Sequence, residues 1–170
     1  MTRESISCRK PQKEDGAAVW RLVKETGTLD LNSVYCYILL CDYFKETCVI
    51  AEADGEIAGF VSAFRPPEHP DRLFVWQIAV SPGKQRRGIG RMLLQELLSR
   101  VEPDTIRHIE ATISPSNAAS RALFLSLAKR EKLECHWSAG YRTSLFPAEQ
   151  AHEEELLYKL GPLSDQSAVR

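Results

Sequence analysis

Between Phe74 and Leu94 the chain reads FVWQIAVSPGKQRRGIGRMLL: an apolar run, a basic turn punctuated by glycines, and the opening of an amphipathic helix. A strand, an anion-binding turn and a helix N-terminus in direct succession constrain the fold more than any other segment, because the strand needs a sheet and the helix needs a surface to cover. Gly88 and Gly90 carry no Cβ to hold a ligand off the backbone, and the first N–H groups of a helix have no partner within it. The turn suits a pyrophosphate.

The rest of the chain is compatible with one α/β domain. A length of 170 residues is enough to bury a core, and 44% hydrophobic with 26% charged residues is ordinary for a globular protein. Ser5–Arg9 reads as a first strand and Asp15–Glu25 as a helix with Val19, Trp20, Leu22 and Val23 on its apolar side. Thr28–Phe44 places Asp30, Asn32, Ser33 and Tyr35 where a second, strongly apolar helix begins; Asn32 and Ser33 also suit helix capping. Cys48–Ala53 and Ile57–Phe64 are strands joined at Asp54-Gly55, a hairpin signal. After the Phe74–Val80 strand and a helix over Gly88–Arg100 come a strand at Ile106–Ile113, a helix at Asn117–Lys132 and a final strand ending near Leu160. The expected order is thus strand, helices, three strands, helix, strand, helix, strand, with a domain over 1–162 and a disordered tail over 163–170.

Net charge and cysteine usage narrow the partners. A formal charge of −1 gives no general attraction to nucleic acid or an acidic membrane, so Arg86, Arg87 and Arg91 form a local cluster fitted to a small anion. There is neither a signal-peptide pattern nor an 18-residue apolar run, which leads to the expectation of a cytoplasmic protein. The five cysteines, Cys8, Cys36, Cys41, Cys48 and Cys135, make no C-x-x-C pair. Reduced thiols are expected, with no disulfide framework and no metal site.

The order Q-x-x-G-x-G after VWQIAV separates the turn from a Rossmann turn and from a P-loop. It resembles the acetyl-CoA turn of the GNAT superfamily of N-acetyltransferases. That resemblance implies a mixed β-sheet flanked by helices, with acetyl-CoA as co-substrate. It implies that the strand offers backbone groups to the pantetheine arm, here from Ile78 to Val80, and that Gln85, Arg86, Arg87, Gly88, Ile89, Gly90 and Arg91 hold the pyrophosphate end. Asn117 and Ser120 fall where the superfamily contacts the cofactor after its splayed strand; as a residue, Asn117 also suits a helix cap.

Four phrases, LDLNSVYCYILLCDYF, GFVSAFRPPEHPDRLFVWQIAV, IEATISPSNAASRALF and HEEELLYKLG, are similar to a narrower family, the L-2,4-diaminobutyrate acetyltransferases of ectoine biosynthesis. This implies acetyl transfer to the γ-amine of L-2,4-diaminobutyrate, and it suggests a homodimer, with the apolar Tyr35–Phe44 helix or the C-terminal strand as interface. The chemistry itself asks for groups that hold an ammonium, a donor for a carboxylate, and a base, since an amine with pKa about 10 is protonated at neutral pH. Asp30 and Glu110 are the candidate acids; the favoured division gives Asp30 the ammonium and Glu110 the proton.

Trp76 and Gln77 alternate onto opposite faces, so one of them faces the acyl group. Tyr35 is a candidate to bind substrate or to protonate the departing thiolate, and the Val80 N–H is the oxyanion donor that the resemblance implies. Phe124 stands where many relatives have an acid tyrosine, leaving His152 and Tyr158 as further candidates, while His69, His108 and His136 receive no role. Two rivals remain open: an N-acetyltransferase for another amine, and an acetyl-CoA-binding module without turnover.

Overall fold

The computed structural model describes residues 5–102 and 105–163. Of the expected tail, everything after Leu163 lies outside the described residues; the Leu163 N–H donates to the Arg107 carbonyl at 2.8 Å. The chain divides into two compact units, one formed by Met1–Phe64 and Trp76–Val101, the other by Arg65–Val75 and Glu102–Arg170.

In the first unit the sheet runs β1 (Ile6–Arg9), β2 (Val49–Ala53), β3 (Glu56–Phe64) and then β4 (Arg72–Val80), a strand shared with the second unit. β1 with β2 and β2 with β3 pair antiparallel. The β2–β3 hairpin turns at Asp54-Gly55, both in the left-handed region at φ 54° and 79°, as a two-residue hairpin of this composition requires.

Helices α1 (Gly16–Thr26) and α2 (Val34–Tyr43) cover a core of Val19, Leu22, Val23, Tyr37, Leu40, Cys41, Cys48, Ile50, Phe60 and Ala79. Ser33 starts α2 as an N-cap, its Oγ accepting the Cys36 N–H at 3.1 Å. In α2, Tyr37, Leu40 and Cys41 lie three and four residues apart and are buried, whereas Tyr35 and Tyr43 are 68% and 78% exposed. Helix α3 (Ile89–Ser99) buries Ile89, Leu93, Leu94 and Leu97 and packs on β2 and β3; each such side chain contributes roughly 2 kcal/mol of burial.

In the second unit the order continues from the first residues of β4 to β5 (His108–Ile113), β7 (Glu155–Gly161) and β6 (Glu134–Tyr141). β4 and β5 are parallel, while β5–β7 and β6–β7 are antiparallel. The sheet is therefore mixed, and with α4 (Ala118–Glu131) the fold is of the expected α/β class. In α4, Leu127 and Phe124 are buried, with Leu123 only half-buried.

Strand β6 is missing from the expected order. All of its residues except Cys135 are exposed, so it shows no buried face from which period-two alternation can be read; pairing with β7 alone makes it a strand. β7 lies between β5 and β6, so both of its hydrogen-bonding edges are paired. Among the described residues no helix is long and apolar enough to cross a membrane.

Candidate active site

The basic turn leaves β4 through a short 3-10 turn at Pro82–Lys84 and reaches α3 with two residues in the left-handed region, Arg86 at φ 60° and Gly88 at φ 78°. Gly88 is the N-cap of α3. The helical ladder opens with the Met92 N–H donating to the Gly88 carbonyl at 2.9 Å, so the N–H groups of Ile89, Gly90 and Arg91 lie in the first turn, where no intrahelical acceptor exists.

Nothing lies within 4 Å of the point a Gly88 Cβ would occupy, and the side chains of Gln85, Arg86, Arg87 and Arg91 are exposed around it. An open backbone cradle with helix N–H groups and guanidinium groups suits the pyrophosphate of a coenzyme A thioester. Ile89 differs from its neighbours. Its side chain is 1% exposed and serves the core, so only its backbone can face an anion. A Cβ on Gly59 would stand 2.7 Å from Ile89 Cγ2 and 3.1 Å from Leu93 Cδ1; glycine there lets the start of α3 press close against β3 and fixes where the cradle sits.

Strand β4 carries the next set. Trp76, Ile78 and Val80 share one face, and Gln77 and Ala79 the other; Trp76 is 41% exposed and Gln77 6%. The parallel ladder of β4 with β5 covers Arg72–Val75, so the peptide groups from Trp76 to Val80 lie beyond it.

Gln77 is held from three directions. Its N–H donates to Ser62 Oγ at 3.2 Å, its Oε1 accepts from the Tyr37 hydroxyl at 3.0 Å, and its Nε2 donates to the Asp30 carbonyl at 2.7 Å. The Tyr37 oxygen in turn accepts the Asn32 N–H at 3.4 Å. Gln77 is thus brought to the segment that carries Asp30 and Asn32. Tyr35 is largely exposed. Tyr37 was missed, although its spacing from Leu40 and Cys41 on the buried stripe of α2 distinguishes it from Tyr35. The Asn32 Nδ2 is buried and lacks a hydrogen-bond partner among the described residues.

In the second unit Glu110 is 6% exposed, and its Oε1 lies 3.0 Å from Arg72 Nη1. Phe74 and Lys159 stand opposite Glu110 in the two flanking ladders, as Arg72 stands opposite His108. Arg72 is the second residue that sequence reasoning missed, because 38 positions separate it from Glu110 and only strand pairing unites them. Burial, reinforced by Lys159, Arg72 and Arg107 and opposed by Asp71, holds His108 below its ordinary pKa of 6.5.

Asn117 caps α4, its Oδ1 accepting the Ser120 N–H at 3.1 Å. Phe124 is 2% exposed and part of the core. His152 stacks on Phe146 with centroids 3.8 Å apart and 6° between planes. Its Nδ1 is 2.6 Å from the Glu153 carbonyl and its Nε2 4.0 Å from Glu155 Oε1. Tyr158, 6% exposed, stands opposite Ala111 and Trp137. The cysteines are all free thiols, and burial pushes Cys41 and Cys48 up to about 12. Among the described residues no group of three His, Cys, Asp or Glu could hold a metal ion.

A mixed sheet with a strand–glycine turn–helix cradle defines an N-acyltransferase of the acyl-CoA-dependent class. The profile of the Acetyltransferase (GNAT) family matches residues 17–128. The L-2,4-diaminobutyric acid acetyltransferase of Halalkalibacterium halodurans is 48% identical over 159 residues, covering 94% of this chain and 83% of that one. That of Marinococcus halophilus is 47% identical, covering 95% and 92%. Diaminobutyrate acetyltransferase EctA from Paenibacillus lautus, solved in complex with its substrate L-2,4-diaminobutyric acid and coenzyme A, superposes with a TM-score of 0.92 at 45% identity over 96% of this chain and 99% of that one. The chain belongs to the GNAT family and, within it, to the diaminobutyrate acetyltransferases.

Proposed function

We propose that this protein transfers the acetyl group of acetyl-CoA to the γ-amine of L-2,4-diaminobutyrate, giving N4-acetyl-L-2,4-diaminobutyrate for ectoine synthesis. The observation that carries this reading is the likeness, at 45% identity and over nearly the full length of both chains, to an enzyme bound to that amino acid and coenzyme A. The family profile spans parts of both units, which supports treating residues 1–162 as one catalytic domain.

Acetyl-CoA supplies the activated acyl group. Gln85, Arg86, Arg87, Arg91 and the N–H groups around Gly88, Ile89 and Gly90 hold its anionic end, with Asn117 and Ser120 as further contacts. Ile78 and Val80 offer backbone groups to the pantetheine arm, and the Val80 N–H is the donor for the developing oxyanion. Trp76 lies on the half-exposed face of β4 and walls the amine's path.

Asp30, with Asn32 and Ser33 beside it, receives the substrate's charged groups. Glu110, oriented by Arg72, takes the proton of the attacking ammonium directly or through one water. The deprotonated amine adds to the thioester carbon, and the C–S bond then breaks as the oxyanion collapses. The nitrogen's second proton leaves to solvent, and the departing thiolate needs only a weak acid, since its pKa is close to that of cysteine. His152 or Tyr35 supplies the thiolate's proton.

A cytoplasmic homodimer completes the reading. Tyr43 and Phe44 on and beside α2, and separately Trp137 and Tyr141 on the edge strand β6, are exposed large apolar side chains that suit an interface; sedimentation at micromolar concentration tests it. Thiol release from acetyl-CoA with diaminobutyrate, ornithine, lysine and spermidine, with NMR of the product, tests the reaction. Selective release with acetylation at N4 supports the assignment. Preference for another amine overturns the substrate, and cofactor binding without release overturns the reaction.

A further inference from the structure

The segment from Asp30 to Asn32 has no helix or strand of its own, so its backbone groups must find partners elsewhere. Two of them, the Asp30 carbonyl and the Asn32 N–H, are taken by Gln77 Nε2 and the Tyr37 oxygen, at 2.7 and 3.4 Å. These two side chains are bonded to each other at 3.0 Å, and the Gln77 backbone is anchored on Ser62 Oγ. Tyr37 and Ser62 are fully buried and Gln77 nearly so. The result is an uncharged hydrogen-bonded chain from the floor of the sheet to a loop whose Asp30 side chain is exposed and whose Asn32 Nδ2 is a buried donor lacking a partner among the described residues.

We infer that Tyr37, acting through Gln77, is a positioning residue that presets the Asp30–Asn32 loop for the amino-acid substrate, with the Asn32 amide offered to its carboxylate. This rests on the diaminobutyrate reading. A Tyr37 hydroxyl that donates to Gln77 while accepting from Asn32 fixes the distance between the two loop residues. Without it, the loop has to be ordered at each binding event, and the loss falls on the amino acid rather than on the nucleotide.

The test is Tyr37→Phe, which removes one oxygen and leaves the ring in the core. The expected result is a KM for diaminobutyrate raised about tenfold, the equivalent of one or two hydrogen bonds. The KM for acetyl-CoA stays within about twofold, within the scatter of a single weak contact. A merely structural role lowers the folded fraction, and so the apparent kcat, without separating the two KM values.

A diaminobutyrate KM within twofold of the parent, or equal rises for both substrates, overturns the inference. If Tyr37→Phe gives no folded protein, Gln77→Glu decides by the same split: it keeps an acceptor for Tyr37 but sets a carboxylate oxygen against the Asp30 carbonyl. An unaltered parent enzyme that does not acetylate diaminobutyrate would refute the substrate reading instead. The positioning role is then judged on the amine it does accept.

Discussion

Two polar clusters are built into this protein on opposite principles. In the first unit Ser62, Gln77, Tyr37 and the Asp30–Asn32 backbone form a neutral chain in which hydroxyls and an amide hold a loop. In the second, Arg72 and Glu110 form a charged pair, with His108 and Lys159 on neighbouring positions of the same sheet face. The neutral chain satisfies backbone groups and therefore transmits shape. The charged pair keeps a buried carboxylate oriented beside a cation, and Arg72 Nε and His108 Nδ1 remain buried without partners among the described residues. A neutral network that satisfies the loop's backbone suits positioning, and a charged pair suits proton chemistry.

The largest expected effect comes from Glu110→Gln, which keeps the side chain's size and removes its basicity. If Glu110 accepts the substrate proton, kcat falls about 10² to 10⁴-fold, with recovery as pH approaches the pKa of the free amine. A loss below about fivefold would make the second cluster structural and erase the contrast with the first.

Arg72→Met leaves the buried Glu110 without its cation. We expect a stability loss of about 3 kcal/mol in urea unfolding, at the low end for broken buried pairs because the Arg72 side chain is 27% exposed. An unchanged unfolding midpoint would mean that the pair contributes orientation alone.

Tyr37→Phe should lose about 1 kcal/mol of stability, and that loss should be the same in low and in 1 M salt. The Arg72→Met loss should shrink in salt, because ionic screening acts on charges and not on neutral hydrogen bonds. Equal salt responses would collapse the distinction between the clusters.

The smallest effect concerns His108. Its pKa is depressed in the folded protein, so the unfolded chain gains a proton first as pH falls below about 6.5. Stability is therefore present above that pH and declines through the interval down to the lowered folded value. His108→Gln should flatten the decline in melting temperature between pH 7.5 and 5.5, and an unaltered slope would remove His108 from the cluster's electrostatics.

The parts of the site that are contiguous in the chain were legible in it. Gly88 and the arginines around it announce the cradle because left-handed backbone, a helix N-terminus and positive charge all occur within a few residues. Ser33 and Asn117 could be read as caps for the same reason, and both cap. Strand β6 was not legible: an edge strand exposed on both faces leaves no alternation in its sequence. Tyr37 shows a related limit, since residue type marks Tyr35 and Tyr37 alike and only helix phase against the core buries the one and exposes the other.

The sequence by itself therefore determined the α/β class, the anion-binding turn and, through phrases spread over its whole length, membership of the diaminobutyrate acetyltransferases. Only the tertiary structure decided that Glu110 faces Arg72 and that Gln77 reaches Tyr37 and Asp30. Those partners lie 38 to 47 residues apart. Local propensity cannot encode such a meeting; it arises from strand register and helix packing, which bring distant positions onto one face.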